Sequence, residues 1–194
     1  AKDATRELLE GAGRAEGARE DAALVTDGAL SVYSEGRARD ALDGSNVAGV
    51  LRSHLARARV PDYVALLDYF AETPEHDAAL ARLRERLREV TGCAVTSGYG
   101  PRYLHSTGQL HKGGPDTGVF LQLTAPDRED SEVPGEAYTF GSLKRAQALG
   151  DFRALAARGR RVLRVDLGAD ALKGLEQLLA AVGEALARTE ATGV

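Results

Sequence analysis

The residues of this chain that could do chemistry gather between positions 97 and 118. Six glycines fall in that span, together with His105, His111, the hydroxyls of Ser97, Ser106 and Thr107, and charges of both signs. Glycines let backbone N–H groups approach an anion, and serine and threonine hydroxyls add donors, so a bound phosphate or carboxylate suits this composition. A long surface loop suits it equally. His105 reads either as an acid–base group or as a structural histidine. The six-residue offset between His105 and His111 is not a same-face helical spacing, and no cysteine or acidic cluster accompanies them, so no metal is expected. Cys93 follows a helix-ending Gly92 and reads as an inert residue at the start of a buried strand. Arg158-Gly159-Arg160-Arg161 could hold a phosphate; the simpler reading is a solvated group complementing the carboxyl end of the preceding helix. The glycines fit no dinucleotide fingerprint, and no Gly-Lys-Ser/Thr closes a P-loop, so nucleotide binding is unsupported.

The elements that must position these residues alternate. A helix is expected over 3–20, weakened by Gly11, Gly13 and Gly17, then two short strands within 23–33 joined at Asp27-Gly28. Residues 36–45 are charged and small, as in a surface loop, and Ser45 or Asn46 can cap a helix reaching about Arg59. The apolar run 63–70 reads as a strand covered on both faces. Thr73-Pro74 opens a helix that aligns Leu80, Leu83, Leu87 and Val90, and Gly92 ends it. Strands follow at 94–97 and 118–124, a helix at 142–158 stopped by Gly159, a strand at 161–167, and a last helix at 170–188. That helix buries Leu172, Leu175, Leu179, Val182 and Leu186. Strand–helix alternation of this kind predicts an α/β fold, a mainly parallel sheet flanked by helices. Residues 1–60 read as a helical extension with a small hairpin, and 61–194 as the α/β domain.

Composition narrows the class. With 194 residues, 43% hydrophobic content and a net charge of −4, the chain can build a core, and it lacks the uniform positive field that draws a protein to nucleic acid or anionic membrane. A single cysteine and no long apolar stretch point to a soluble, cytoplasmic protein. The sequence holds no Met and opens on Ala1-Lys2-Asp3 as a helix already under way, which reads as a piece of a longer polypeptide.

Leu104-His105-Ser106-Thr107-Gly108-Gln109 resembles the Leu-His-Ser-x-Gly-Gln signature of bacterial phosphoglucose isomerases. Tyr138-Thr139-Phe140-Gly141 resembles the Tyr-Thr-Phe-Gly that opens a later helix in the same enzymes. More closely, residues 98–168 look like the carboxyl-terminal part of bifunctional transaldolase/glucose-6-phosphate isomerase fusions, which carry the run found here at 100–115. The resemblance implies a sugar-isomerase (SIS-type) α/β sandwich that interconverts glucose 6-phosphate and fructose 6-phosphate without metal or cofactor. His105 would be the ring-opening histidine, its neutral-range pKa suited to moving a proton at the ring oxygen or the C1 hydroxyl. Ser106, Thr107, Gln109 and Lys112 would bind substrate, with Gln109 on the sugar or on the imidazole. The family's base glutamate lies in a Gly-Glu-Ser-x-Gly-Lys segment, which this chain lacks, as it lacks the Phe-Asp-Gln-Pro that precedes the catalytic lysine. Lys2 is the preferred lysine because its neighbours look like the fusion sequence; Lys173 competes. The implied partners are a sugar phosphate, the rest of a longer polypeptide or another subunit, and further copies in a homo-oligomer. A non-catalytic sugar-phosphate-binding or assembly module is the alternative.

Overall fold

The computed structural model of the protein describes residues 22–190. The helix expected over 3–20 and Lys2 lie outside the described residues, as does the side chain of Leu186. Strands and helices alternate: β1 (Val25–Asp27), β2 (Leu30–Tyr33), α1 (Gly36–Asp40), α2 (Val47–Leu55), β3 (Tyr63–Tyr69), α3 (Pro74–Thr91), β4 (Ala94–Tyr99), α4 (Thr107–Gly113), β5 (Gly118–Thr124), α5 (Phe140–Ala157), β6 (Arg161–Asp166) and α6 (Ala171–Glu190). A single turn of 3₁₀ helix, Arg102–His105, precedes α4.

The strands form one six-stranded sheet in the order β1-β2-β6-β5-β3-β4. β4, β3, β5 and β6 run parallel, with Asp68 opposite Tyr99 on one side and Leu123 on the other. The hairpin β1–β2 closes the far edge antiparallel to β6. The chain is thus an α/β sandwich with a mostly parallel sheet, as the alternation predicts.

Side-chain alternation sorts the core into two layers. On one face Val64, Leu66, Val119, Leu121, Leu163 and Val165 meet Leu51 and Leu55 of α2, Leu80, Leu83 and Leu87 of α3, and Leu175 and Val182 of α6. On the other, Ala65, Leu67, Tyr69, Phe120 and Val162 meet Tyr103 and the Leu149, Phe152 and Leu155 side of α5. β3 and β5 are therefore covered on both faces, which is why their sequences read as near-continuous apolar runs. Val90, Leu172 and Leu179 pack at the margin of the first layer.

Local signals act where expected in most places. The Asn46 side chain caps α2 by accepting from Gly49 N at 2.8 Å, and Thr73 caps α3 by accepting from His76 N at 3.2 Å with Pro74 in the first turn. Gly92 takes φ +65° at the end of α3, and Cys93 is buried just before β4.

Several expectations need correction. The hairpin pairs Asp27 with Leu30, so its turn is Gly28-Ala29 rather than Asp27-Gly28, with Gly28 at φ +56° supplying the positive dihedral. Within 36–45 the chain forms α1, held down by the buried Ala38. α2 ends at Leu55, four residues early, and α5 begins at Phe140, two residues early. Arg158 does donate to the Ala154 carbonyl at the end of α5, at 3.1 Å. Arg160 and Arg161, however, are not solvated: they turn inward to pair with Asp116 and Asp62. Residues 22–60 share the main core, since β2 bonds to β6 and α2 packs with α6.

One buried polar group gives the core a pH signature. His54 on α2 is fully buried, and its Nε2 lies 3.1 Å from the Phe120 carbonyl oxygen, so Nε2 is the protonated nitrogen that donates. Burial first, and Arg57 next, hold its pKa down to about 3. The unfolded ring takes up a proton below its ordinary 6.5, whereas the folded ring resists to about 3, so stability present above pH 6.5 drains away as pH falls through that window. The slope is about 1 kcal/mol per pH unit. His54→Gln is expected to flatten this acid loss in thermal midpoints measured from pH 7 to pH 4; an unchanged difference between variant and wild type would contradict a neutral buried ring.

Candidate functional site

The connection from β3 to β4 runs through α3 on one face of the sheet, and that from β5 to β6 through α5 on the other. β3 and β5 are neighbours, so the chain departs from their carboxyl ends in opposite directions. Such a switch point opens a crevice where α/β sheets bind ligands. The histidine-bearing segment follows β4 and the second signature opens α5, so the two flank the carboxyl end of β3.

After β4 the chain turns sharply. Gly100 N donates to the Asp68 carbonyl at 2.8 Å, and a Cβ on Gly100 would lie 2.5 Å from the Tyr69 ring, so only glycine allows this approach. The 3₁₀ turn then sends Tyr103 inward and leaves His105 exposed. The stretch is not a long loop: residues 107–113 form α4, because Gly108 and His111 recur at helical spacing and bury against the sheet. His105, Ser106, Thr107 and Gln109 are each exposed. No described residue hydrogen-bonds to the His105 ring.

Lys112 does not join them. Its ammonium turns inward as an ion pair with Oδ1 of Asp151 on α5 and lies 3.4 Å from the Gly108 carbonyl. Lys112, expected on substrate, is held here by an internal carboxylate. His111 is buried between Tyr63, Tyr103 and Phe120, its ring centroid 4.9 Å from that of Phe120, and burial lowers its pKa. Lys173 is exposed in the first turn of α6, with Asp170 3.8 Å away.

On the other flank, the segment after β5 and the start of α5 enclose a cleft of about 70 Å³ lined by Ala125, Pro126, Asp127, Asp130, Gly141, Lys144 and Arg145. The Tyr138–Gly141 signature has a structural explanation here. Thr139 Oγ1 accepts from Ser142 N at 3.1 Å while Ser142 Oγ accepts from Thr139 N at 2.9 Å, a reciprocal cap. Asp130 accepts from Thr139 Oγ1 at 2.5 Å and from Gly141 N at 2.7 Å, and these bonds lower its pKa. Lys144 pairs with Asp127 at 2.5 Å. The cleft's carboxylates are thus matched by its own donors.

Between the flanks sits Asp68, a residue that sequence reasoning passed over. It is fully buried near the end of β3, where Oδ2 accepts from Ser97 Oγ at 2.7 Å and Oδ1 has no partner among the described residues. Burial pushes its carboxyl up to about 7, against the opposing pull of Ser97, the Gly98 amide and Arg84. A lone aspartate inside the apolar run 63–70 was the visible signal. Asp151 gave a weaker one, an acid among alanines, leucines and a phenylalanine of a helix. Among the described residues, no three His, Cys, Asp or Glu side chains come together as metal ligands, and no helix is long and apolar enough to cross a membrane.

No protein-family model matches the chain, and no curated protein matches it. Among solved structures it is similar to the hypothetical protein TT0462 from Thermus thermophilus, at 20% identity and a TM-score of 0.59 over 77% of this chain. The match spans 44% of that neighbour's length. At this identity the likeness is one of fold.

Asp68 carries a pH signature opposite to that of His54. Its folded pKa is raised from 3.8 to about 7, so its contribution to stability is complete below pH 3.8 and is lost as pH rises toward 7, at about 1 kcal/mol per unit. Asp68→Asn should remove this alkaline-side loss, gaining on wild type steadily between pH 4 and pH 7 in urea midpoints. A constant difference across that range would mean that Asp68 is ionised throughout.

Proposed function

We propose that this chain is an isomerase-type α/β domain that contributes His105 to the interconversion of glucose 6-phosphate and fructose 6-phosphate, acting within a transaldolase-fused polypeptide. The observation that carries the reading is that His105, Ser106, Thr107 and Gln109 are exposed in the segment that follows β4 while their neighbours Tyr103 and His111 fold inward. An exposed imidazole can accept the proton of the anomeric hydroxyl, on C1 of glucose 6-phosphate or C2 of fructose 6-phosphate, and return one to the ring oxygen, opening the sugar. The Ser106 and Thr107 hydroxyls and the Gln109 amide supply donors for sugar hydroxyls or phosphate. Lys112, already paired with Asp151, acts from behind the segment rather than on substrate; the catalytic lysine is Lys2, with Lys173 as its competitor. Moving a proton between C1 and C2 also requires a carboxylate within hydrogen-bond reach. In this reading it comes from the remainder of the polypeptide or from another subunit.

A second reading, a sugar-phosphate-binding module without catalysis, draws on the internal pairing of Lys112 and of the cleft carboxylates. Turnover separates the two. In the complete natural polypeptide, His105→Ala is expected to slow turnover of cyclic fructose 6-phosphate by roughly 10²–10⁴-fold, with the thermal midpoint unchanged and the defect smaller on open-chain sugar. The 194-residue chain alone should show little or no turnover. Binding of fructose 6-phosphate by the complete polypeptide without turnover would favour the second reading. Equal losses on both substrate forms, with a lowered thermal midpoint, would make His105 structural.

A further inference from the structure

Asp151 is 1% exposed in the middle of α5, yet it carries two polar partners from one short segment of chain. Tyr103 OH donates to its Oδ2 at 2.6 Å, and the Lys112 ammonium lies against its Oδ1. Tyr103 belongs to the 3₁₀ turn that ends at His105, and Lys112 to α4, so the carboxylate grips the chain on both sides of residues 105–109. Tyr103 OH also lies 3.2 Å from Tyr69 OH on β3, which links the grip to the central strand.

We propose that Asp151 is a positioning residue: by holding Tyr103 and Lys112 together it fixes the orientation in which His105 meets the sugar. The inference rests on the isomerase reading for its consequence in turnover, and on geometry alone for its effect on the segment. A buried ion pair is weak evidence for stability, because apolar residues of similar volume commonly do as well or better. What the pair adds here is direction. Apolar contact lets α4 slide or rotate on the sheet, whereas one carboxylate with two fixed partners admits a single register. Catalytic groups must be held to about 0.5 Å, and a misplacement of about 1 Å costs on the order of 10²-fold in rate.

The test replaces the polar grip by apolar packing. In the complete natural polypeptide, Asp151→Leu with Lys112→Met should keep the thermal midpoint close to wild type while lowering kcat roughly 10–100-fold, with KM for fructose 6-phosphate little changed. Hydrogen exchange of the 102–110 amides in the same variant should quicken, and Asp151→Asn, which retains a partner for Tyr103, should give a smaller loss of kcat in the same direction. If the double variant folds poorly, the single variant and its exchange rates decide. Wild-type kcat with unchanged exchange at 102–110 would overturn the proposal, and so would a loss confined to KM, which would return Lys112 to the substrate. Should the wild-type polypeptide prove inactive, the isomerase reading fails by itself; faster exchange in the variant would still uphold the grip, and unchanged exchange would remove it.

Discussion

The parallel pairing of β3 with β4 on one side and β5 on the other is the constraint from which the rest of the molecule follows. It buries β3 on both faces, so helices must cover both, and the connections leaving β3 and β5 part to opposite faces of the sheet at neighbouring carboxyl ends. Asp68 and Ser97 bond across the β3–β4 pair, Gly100 bonds back to the Asp68 carbonyl, and the 3₁₀ turn and α4 descend from there over Tyr69 and Phe120. The exposed histidine is the outermost consequence of an apolar pairing at the centre.

Burial governs the charge of the polar side chains inside this core. His54 is kept neutral by burial and by Arg57, and Asp68 is kept protonated up to about pH 7 by burial, with Asp77 adding to it, against the pull of its donors. Asp151, equally buried, lies instead against an ammonium and a phenol.

The regular elements were legible because their apolar periods were long. The run 63–70 and the leucines of α3 specify burial over many residues, and Thr73-Pro74 and Gly92 mark the ends of α3. Short elements were harder to read. In α4 only Gly108 and His111 are buried, too few for a helical period to stand out among six glycines of the 97–118 span. The five-residue α1 rests on Ala38 alone, and the hairpin turn shifted by one residue because the pairing of β2 with β6, a long-range contact, sets the register. His105, Ser106, Thr107 and Gln109 stood out through a motif, and each is exposed. Asp68 and Asp151 were hidden, since each is a single acid within an apolar element whose role depends on a partner 29 or 39 positions away, Ser97 or Lys112.

Contact between the His105 ring and a sugar phosphate decides the catalytic reading. Ring resonances of histidine-labelled natural polypeptide, with His105 assigned by comparison with His105→Gln, report this directly. Addition of fructose 6-phosphate is predicted to shift the His105 ring signals while those of the buried His54 and His111 stay in place. Saturating fructose 6-phosphate that leaves the His105 signals unmoved would contradict it.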